Sequence, residues 1–308
     1  MAKVVVVGSL NMDLVMRTAR LPQLGETLLG GAFSTAEGGK GANQAVACAR
    51  MGASVALVGR VGRDDFGRRL VEALVVEGVD VGGVRFDDEH PTGVASIYVV
   101  EGDNGIIVAS GANAAVSARD VREARSAFEG AHCALFQLET PLEALGEGLR
   151  VAREAGAMTL LNPAPWHALP GDFFPFVDVF IPNGIELGQF AGTADLEAGA
   201  TKALEAGVGA VVVTVGSEGA WLFRPGVKEH VAAPRVEAVD STGAGDAFVG
   251  SLAVSLAEGL SLRESISFAV CAGALACTRL GAQPGLPRRE EVHALRRGGA
   301  GVEGGMRP

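Results

Sequence analysis

The sequence is short of the features that would tie it to nucleic acid, a membrane or a secretory route. Its 26 basic residues are outnumbered by 36 acidic ones, a net charge of −10, whereas duplex nucleic acid and anionic membranes both attract basic surfaces. Neither is expected as a main partner; an anionic small molecule stays open, because it needs only a local cluster of donors. No run is long enough to span a bilayer: the longest apolar stretch near the C-terminus, Phe268 to Cys277, falls far short of the roughly 20 residues required. The cysteines, Cys48, Cys133, Cys271 and Cys277, include no CxxC pair and sit in apolar segments. They read as buried free thiols of a reducing compartment, not as a disulfide framework. The opening Met1-Ala2-Lys3, followed directly by four valines and a glycine, lacks the long apolar region and cleavage site of a signal peptide. A soluble, cytoplasmic protein is expected.

What the sequence does have is apolar residues and glycine. With 308 residues, 48% of them hydrophobic, the chain can bury a large core, and its length points to one large domain or one domain with a small appendage. The 44 glycines fall singly or in short clusters between apolar runs, so they are neither collagen-like nor low-complexity. They mark tight turns and close backbone approaches.

Short β-branched runs alternate with stretches rich in alanine and leucine. Lys3–Gly8, Val55–Gly59, Cys133–Leu138, Met158–Leu161, Val177–Ile181 and Ala210–Val215 are expected as buried strands. Helices are expected near 40–51, 65–77, 117–129, 141–155, 195–206, 244–259 and 262–279. In the first of them Ala42, Ala45, Val46 and Ala49 follow the i, i+3, i+4, i+7 spacing of a buried helical stripe. Apolar strands alternating with helices imply a three-layer α/β/α fold with a mostly parallel central sheet.

Two stretches break the rhythm. Residues 13–36 contain short extended pieces without a helix, and 92–110 read as a hairpin, Val94–Val100 and Ile106–Ala109, around the turn Gly102-Asp103-Asn104-Gly105. Lacking crossover helices, these strands are assigned to a small separate β-sheet, a lid over the mouth of the main domain. The expectation is therefore a single α/β domain over 1–297, with lid strands from about 13–36 and 92–110, and a flexible glycine-rich tail at 298–308. No internal repeat is found.

The strongest local signal is Val239-Asp240-Ser241-Thr242-Gly243-Ala244-Gly245-Asp246-Ala247-Phe248. A strand end runs into Gly-Ala-Gly and then a helix, so that small residues let backbone N–H groups converge where the helix start adds partial positive charge. Such a place can accept a phosphate or a developing oxyanion. Beside it, Asp246 could take a proton from a substrate hydroxyl. On these residues alone, a capped helix start with an ordinary first-turn aspartate is an equal reading.

Gly38-Gly39-Lys40-Gly41-Ala42-Asn43-Gln44-Ala45 is a second glycine-rich helix entry. It matches neither the Walker A spacing, since no serine or threonine follows the lysine, nor the dinucleotide fingerprint G-x-G-x-x-G. Lys40 and Asn43 would share a face at the helix start; a solvated lysine on a structural turn is the competing reading. Asn11 and Asp13, two apart in an extended segment, would point the same way and could bind vicinal hydroxyls, or could form an Asx turn. Four more segments end strands with polar groups: Gln137-Leu138-Glu139, Asn162-Pro163-Ala164-Pro165, Asn183-Gly184-Ile185-Glu186 and Thr214-Val215-Gly216-Ser217-Glu218-Gly219. Each alone is ordinary loop chemistry. Together they mark the carboxyl edge of an open α/β sheet, where ligands bind.

In combination, these motifs resemble the ribokinase-like (pfkB-type) carbohydrate kinase family over essentially the whole chain. The glycine-lysine motif with Asn11 and Asp13 is similar to that of its ribose-phosphorylating branch. The resemblance implies ATP-dependent phosphorylation of D-ribose at O5, giving ribose 5-phosphate and ADP. Asp246 would be the base, and Gly243, Ala244 and Gly245 would form the anion hole. Asn11, Asp13, Gly39, Lys40, Gly41, Asn43 and Glu139 would hold the sugar. Asn183, Thr214, Gly216, Ser217, Gly219 and Gly245 would meet ATP, and Glu186 would organise Mg2+ indirectly. An activating K+ would be held by Asp240, Thr242, Ala276, Arg279 and Gly281. Two residues depart from the family pattern: Gly285 stands where serine is frequent, and Val270 where a polar residue is expected near the base. A homodimer formed through the lid is also implied. A sister kinase acting on 2-deoxyribose, another pentose, fructose or a nucleoside is the nearest alternative. A non-catalytic sugar-binding protein on the same fold is disfavoured by the intact glycine run beside Asp246, and an NAD-dependent oxidoreductase by the missing fingerprint.

Overall fold

A computed structural model describes residues 1–100 and 103–299. The chain opens with β1 (Lys3–Val7), β2 (Asn11–Arg17) and β3 (Phe33–Gly38), then α1 (Lys40–Arg50), β4 (Ser54–Gly62), α2 (Asp65–Val76) and β5 (Val79–Asp87). A hairpin follows, β6 (Gly93–Val100) and β7 (Asp103–Ala109), then α3 (Ala118–Glu123), α4 (Arg125–Phe128), β8 (Cys133–Phe136), α5 (Leu142–Glu154) and β9 (Met158–Leu161). The second half comprises β10 (Val179–Phe180), α6 (Gly184–Ala191), α7 (Leu196–Glu205), β11 (Ala210–Thr214), β12 (Ala220–Arg224), β13 (Val227–Val231), α8 (Ala244–Ala257), α9 (Leu262–Ala276), α10 (Ala282–Gly285) and α11 (Arg289–Gly299).

Nine strands form the central sheet in the order β13-β12-β11-β10-β9-β8-β1-β4-β5, parallel except at β12 and β13. The expected mostly parallel sheet with helices on both faces is observed. Its two faces are legible in single strands: Val4 and Val6 of β1 enter one core with α1, α8 and α9, while Val5 and Val7 enter the other with α5 and α7. This is the period-2 alternation of a strand buried on both sides. From β1 the chain winds outward through β4 and β5, then returns to β8 on the opposite side of β1. The strand order therefore reverses between β1 and β8, and the crevice at such a switch point is where α/β sheets bind ligands.

The small second sheet has the order β3-β2-β6-β7, as expected for the segments without helices. Its first strand begins at Asn11, before residue 13, and pairs in register with β6, Asn11 facing Gly93 and Asp13 facing Ala95. Ile106, Ile107 and Val108 are consecutive and all exposed, so β7 has no layer packed on either face. The expected turn at Gly102 and the tail beyond residue 299 lie outside the described residues.

Other expectations need correction. The rule that strands without crossover helices stay out of the main sheet fails at its edge, where β12 and β13 extend it as an antiparallel hairpin. The expected helix at 117–129 is broken at Ala124 into α3 and α4, and Val177–Ile181 contributes only two paired residues. Strand β5 and helices α6, α10 and α11 are additional. Cys48, Cys133 and Cys271 are buried, but Cys277 is only half-buried.

Helices α1 and α8 pack against each other over β1 at a distance that only small residues allow. An added Cβ at Gly250 of α8 would lie 2.6 Å from the Cβ of Ala47 and 3.0 Å from the carbonyl oxygen of Gln44, and the Cys48 thiol donates to the Gly250 carbonyl at 3.4 Å. Both contacts are backbone-close, so neither partner can swing aside. Gly250→Ala is expected to destabilise the protein by about 1–3 kcal/mol through overpacking, read as a lower urea midpoint. Gly171→Ala, which meets nothing within 4 Å, should stay within about 0.5 kcal/mol; equal effects would overturn this account of the helix contact.

Candidate active site

The residues after β1 and β8 meet at the switch point. Asn113, in the short helical turn Gly111–Ala115, clamps the turn after β1: its Oδ1 accepts the Leu10 N–H at 2.9 Å, while its Nδ2 donates to the Leu10 carbonyl at 3.0 Å and to Asn11 Oδ1 at 2.8 Å. Asn11 is thereby oriented at the root of the small sheet. From the opposite side, Glu139 Oε2 accepts the Ser9 hydroxyl and the Lys40 N–H, the latter at 3.1 Å. Asn11, Asn113 and Glu139 line a cleft of about 320 Å³ together with Ser110, Thr140 and Pro165.

Helix α1 enters this cleft at Gly39, whose φ of 90° is left-handed and whose added Cβ would meet the Asn11 nitrogen at 2.6 Å. No other residue suits that position. At Gly41 a Cβ would collide with the Gly8 backbone at 2.5 Å, so the first turn of α1 lies directly on the end of β1. Asn43, one turn on, donates from Nδ2 to Asp246 Oδ2 at 2.9 Å, and Gln44 Nε2 donates to Asp246 Oδ1 at 3.0 Å. Among the described residues Asn43 Oδ1 is buried without a partner.

Asp246 lies in the first turn of α8, whose N-cap Gly243 has φ 79° and offers no side chain to the helix start. The Ala244 N–H donates to the Ser241 carbonyl at 3.1 Å. The N–H groups of Gly245 and Asp246 belong to the turn where a helix supplies no carbonyl of its own, and among the described residues no backbone bond outside the helix engages them. Of the expected Gly243-Ala244-Gly245 cradle, Ala244 is thus engaged within the loop.

The remaining expected residues line the same sheet edge. Thr214 ends β11 and bridges to Asn183. Gly216 and Ser217 lie exposed on the turn beyond it, while Gly219 is buried and a Cβ there would strike the Val231 carbonyl oxygen at 2.1 Å. Asn183 and Glu186 form a reciprocal cap at the start of α6: Glu186 Oε2 accepts the Asn183 N–H and Asn183 Oδ1 accepts the Glu186 N–H, each at 2.8 Å. Among the described residues no bond engages Glu186 Oε1, which suits a hard divalent cation that keeps most of its waters.

Asp240 accepts the Thr242 N–H and hydroxyl at 2.9 and 2.7 Å and the Gly281 N–H at 2.8 Å. Its carboxylate thus ties two loops together, leaving cation ligation to backbone carbonyls. A Cβ at Gly285 would sit 3.2 Å from the Ala276 oxygen and 3.6 Å from that of Arg279, so those carbonyls converge where the expected serine is missing. The donor set is all oxygen and fits a hard monovalent cation. Val270 is packed into the core.

The electrostatics are dominated by carboxylates held away from water. Burial raises Asp246 above the ordinary carboxylate range, opposed by Lys40 and by the amides of Asn43 and Gln44. Burial, with Glu139 and Asp246 nearby, pushes Asp13 up to about 7; its oxygens lie against the bare Cα of Gly38, where a Cβ would come within 2.4 Å. Burial would lower the Lys40 ammonium, but the fields of Asp246, Glu139 and Glu186 outweigh it and raise it. Lys40 is thus held charged between the acidic cleft and the Asn183–Glu186 corner.

Sequence reasoning named the residues at the mouth and missed those behind it. Asn113, Gln44, Gln137 and Asn162 are all engaged in the site's hydrogen bonds. The last three stood inside motifs singled out for their neighbours. Asn113 carried no local signal, since only the register of β2 with β6 brings its turn to Asn11.

A buried carboxylate in the first turn of a helix whose N-cap is glycine, with polar side chains gathered around it, is equipment suited to transferring a phosphoryl group to an alcohol. Comparison with known proteins narrows the class. Residues 1–289 match the pfkB family carbohydrate kinase model. The chain is 37% identical to a ribokinase of Haemophilus influenzae, over 93% of this chain and 96% of that protein. It is 39% identical to a ribokinase of Schizosaccharomyces pombe, over 95% and 97%. The structure of Arabidopsis thaliana ribokinase complexed with ribose and ATP superposes with a TM-score of 0.88 at 34% identity, covering 96% of this chain and 99% of that one. The chain belongs to the pfkB family of carbohydrate kinases.

The raised Asp13 has a consequence for stability. An acid whose folded pKa exceeds its unfolded one favours folding when protonated, and that contribution is lost as pH rises through the folded value. Asp13→Asn, which cannot ionise, is therefore expected to stabilise the ligand-free protein by roughly 1–3 kcal/mol at pH 8, with the difference vanishing toward pH 4. Thermal melts at the two pH values check this; an equal effect at both would overturn it.

Proposed function

We propose that this kinase transfers the γ-phosphoryl group of ATP to the terminal (O5) hydroxyl of D-ribose, giving ribose 5-phosphate and ADP. The observation that carries the reading is the convergence of Asn11, Asp13, Lys40, Asn43 and Glu139 around Asp246 at an uncapped helix start. The ribokinases to which the chain is similar support the choice of sugar.

Phosphoryl transfer asks little covalent work of a protein; positioning and charge stabilisation carry it. Asp13 and Asn11, two apart on β2, would take neighbouring hydroxyls of the sugar, with Asn43 Oδ1 and Glu139 as further acceptors. Asp246 accepts the proton of O5 as that oxygen attacks the γ-phosphorus, and the N–H groups of Gly245 and Asp246 stabilise the charge spreading over the transferred group. Thr214, Gly216, Ser217 and Gly219 flank the place for the rest of ATP. Glu186 and Asn183 would hold Mg2+, whose charge offsets that of the phosphates, while carbonyls around Asp240, Thr242, Ala276, Arg279 and Gly281 would hold K+ behind the helix start. The small sheet would close over the sugar and exclude water. Its exposed Phe33, Ile107 and Val108 support pairing of two copies through this sheet, and a cytoplasmic setting fits the free thiols.

Asp246→Asn is expected to lower kcat by about 10²–10⁴-fold with ribose binding retained, measured by ADP release; an asparagine variant as active as wild type would overturn the base assignment. Across a panel of pentoses and hexoses, kcat/KM for ribose should exceed that for 2-deoxyribose by about two orders of magnitude or more, because polar groups built for a hydroxyl are left unpaired by its loss. Equal values would point instead to a sister sugar kinase.

A further inference from the structure

Behind Asp246 runs a chain of side-chain amides that no step above uses. Gln44 Nε2 donates to Asp246 Oδ1 at 3.0 Å and to Asn162 Oδ1 at 3.1 Å. Gln44 Oε1 in turn accepts from Gln137 Nε2 at 2.5 Å, and Asn162 Nδ2 donates to the Ile181 carbonyl at 2.9 Å. Gln44 and Gln137 are fully buried, and they come from different elements: the first turns of α1 and the end of β8.

The donor count fixes which way each amide faces. An ionised carboxylate only accepts, so Gln44 must turn its NH2 toward Asp246, which leaves its carbonyl facing Gln137. Gln137 must then present its own NH2 to Gln44, and its Oε1 is left buried with no partner among the described residues, over the bare Cα of Gly8, where a Cβ would come within 2.1 Å. An orphaned buried acceptor costs about 1–3 kcal/mol. Turning Gln137 over would set two carbonyl oxygens against each other and free Gln44 to rotate its own oxygen toward Asp246. The orphan is the mark of an orientation that serves the carboxylate.

We propose that Gln44 and Gln137 are positioning residues for the proton-accepting carboxylate: Gln44 supplies a fixed donor to Asp246 Oδ1, and Gln137 holds Gln44 in the orientation that does so. The inference rests on the reading of Asp246 as the base. Neither glutamine needs to touch the sugar or ATP. With Asn43 on Oδ2 and Gln44 on Oδ1, the carboxylate is held in one orientation, and both donors favour its ionised form against the burial that opposes it.

The test is the pH dependence of kcat/KM for ribose between about pH 5 and 9, in wild type, Gln44→Met, Gln137→Met, the double variant and Asp246→Asn. The charged groups facing Asp246 are Lys40 from α1, Glu139 beyond β8 and Asp13 from β2; all are kept in the glutamine variants, so a moved profile reports the amides. Losing a donor to the carboxylate raises its pKa. Gln44→Met is therefore expected to move the acidic limb up by about one pH unit and to lower kcat by about 10–100-fold, with KM for ribose within about threefold. Gln137→Met should move the limb the same way by less. The double variant should match Gln44→Met alone, since Gln137 acts only through Gln44.

An unmoved acidic limb in Gln44→Met, or additive losses in the double variant, would overturn the proposal. If Gln44→Met fails to fold by circular dichroism, Gln137→Met carries the same test, and an unmoved limb there overturns it. Activity retained by Asp246→Asn would instead remove the base assignment beneath both. An inactive asparagine variant alongside unmoved limbs would remove only the positioning role.

Discussion

A carboxylate held out of water is the constraint on which the rest of this structure depends. Desolvation penalises the charged form by several kcal/mol in real proteins, and Asp246 is buried. The compensation comes from amide donors on α1 and from the field of Lys40, none of which is adjacent to it in sequence. Bringing α1 within reach of α8 requires the close contact at Gly250, and placing α1 over the end of β1 requires the one at Gly41. The glycines of the main domain thus act less as hinges than as clearances, setting helix positions to the few tenths of an ångström that hydrogen bonds demand.

The sheet order explains why this carboxylate lies close to a cleft, beside its lining residue Glu139. The reversal between β1 and β8 leaves the ends of two neighbouring strands without a crossover helix between them, and the residues following those strands, Ser9 to Asp13 and Gln137 to Glu139, fill the gap from either side. The clustering of acidic groups there is unfavourable for the empty protein. Asp13 is raised by burial first and by that clustering second, a cost that a ligand donating hydroxyls to the carboxylates would relieve.

Much of this was legible in the sequence wherever the signal was local. The β-branched runs announced their strands because a strand covered on both faces has no polar side to show, and the Gly-Ala-Gly before Asp246 announced a helix start. The carboxyl-edge motifs followed from one rule about open sheets. What escaped was non-local or weakly patterned. The β12–β13 hairpin joins the sheet antiparallel at its edge, where no crossover is needed. Strand β5, with its paired glycines Gly82 and Gly83, lacks the dense apolar run of its neighbours. Asn113 and Gln137 owe their roles to contacts across more than ninety residues, and no spacing within a motif encodes those.

The small sheet grows out of the site at both ends. Asn11 and Asp13 are the first residues of β2, and Gly38 ends β3 immediately before Gly39 and Lys40 open α1. A rocking motion of the sheet would therefore turn about the residues proposed to hold the sugar, as a lever turns about its fulcrum. Occupancy of the fulcrum and the angle of the lever would then be one variable, and a contact at the far ends of those strands would be felt at the site.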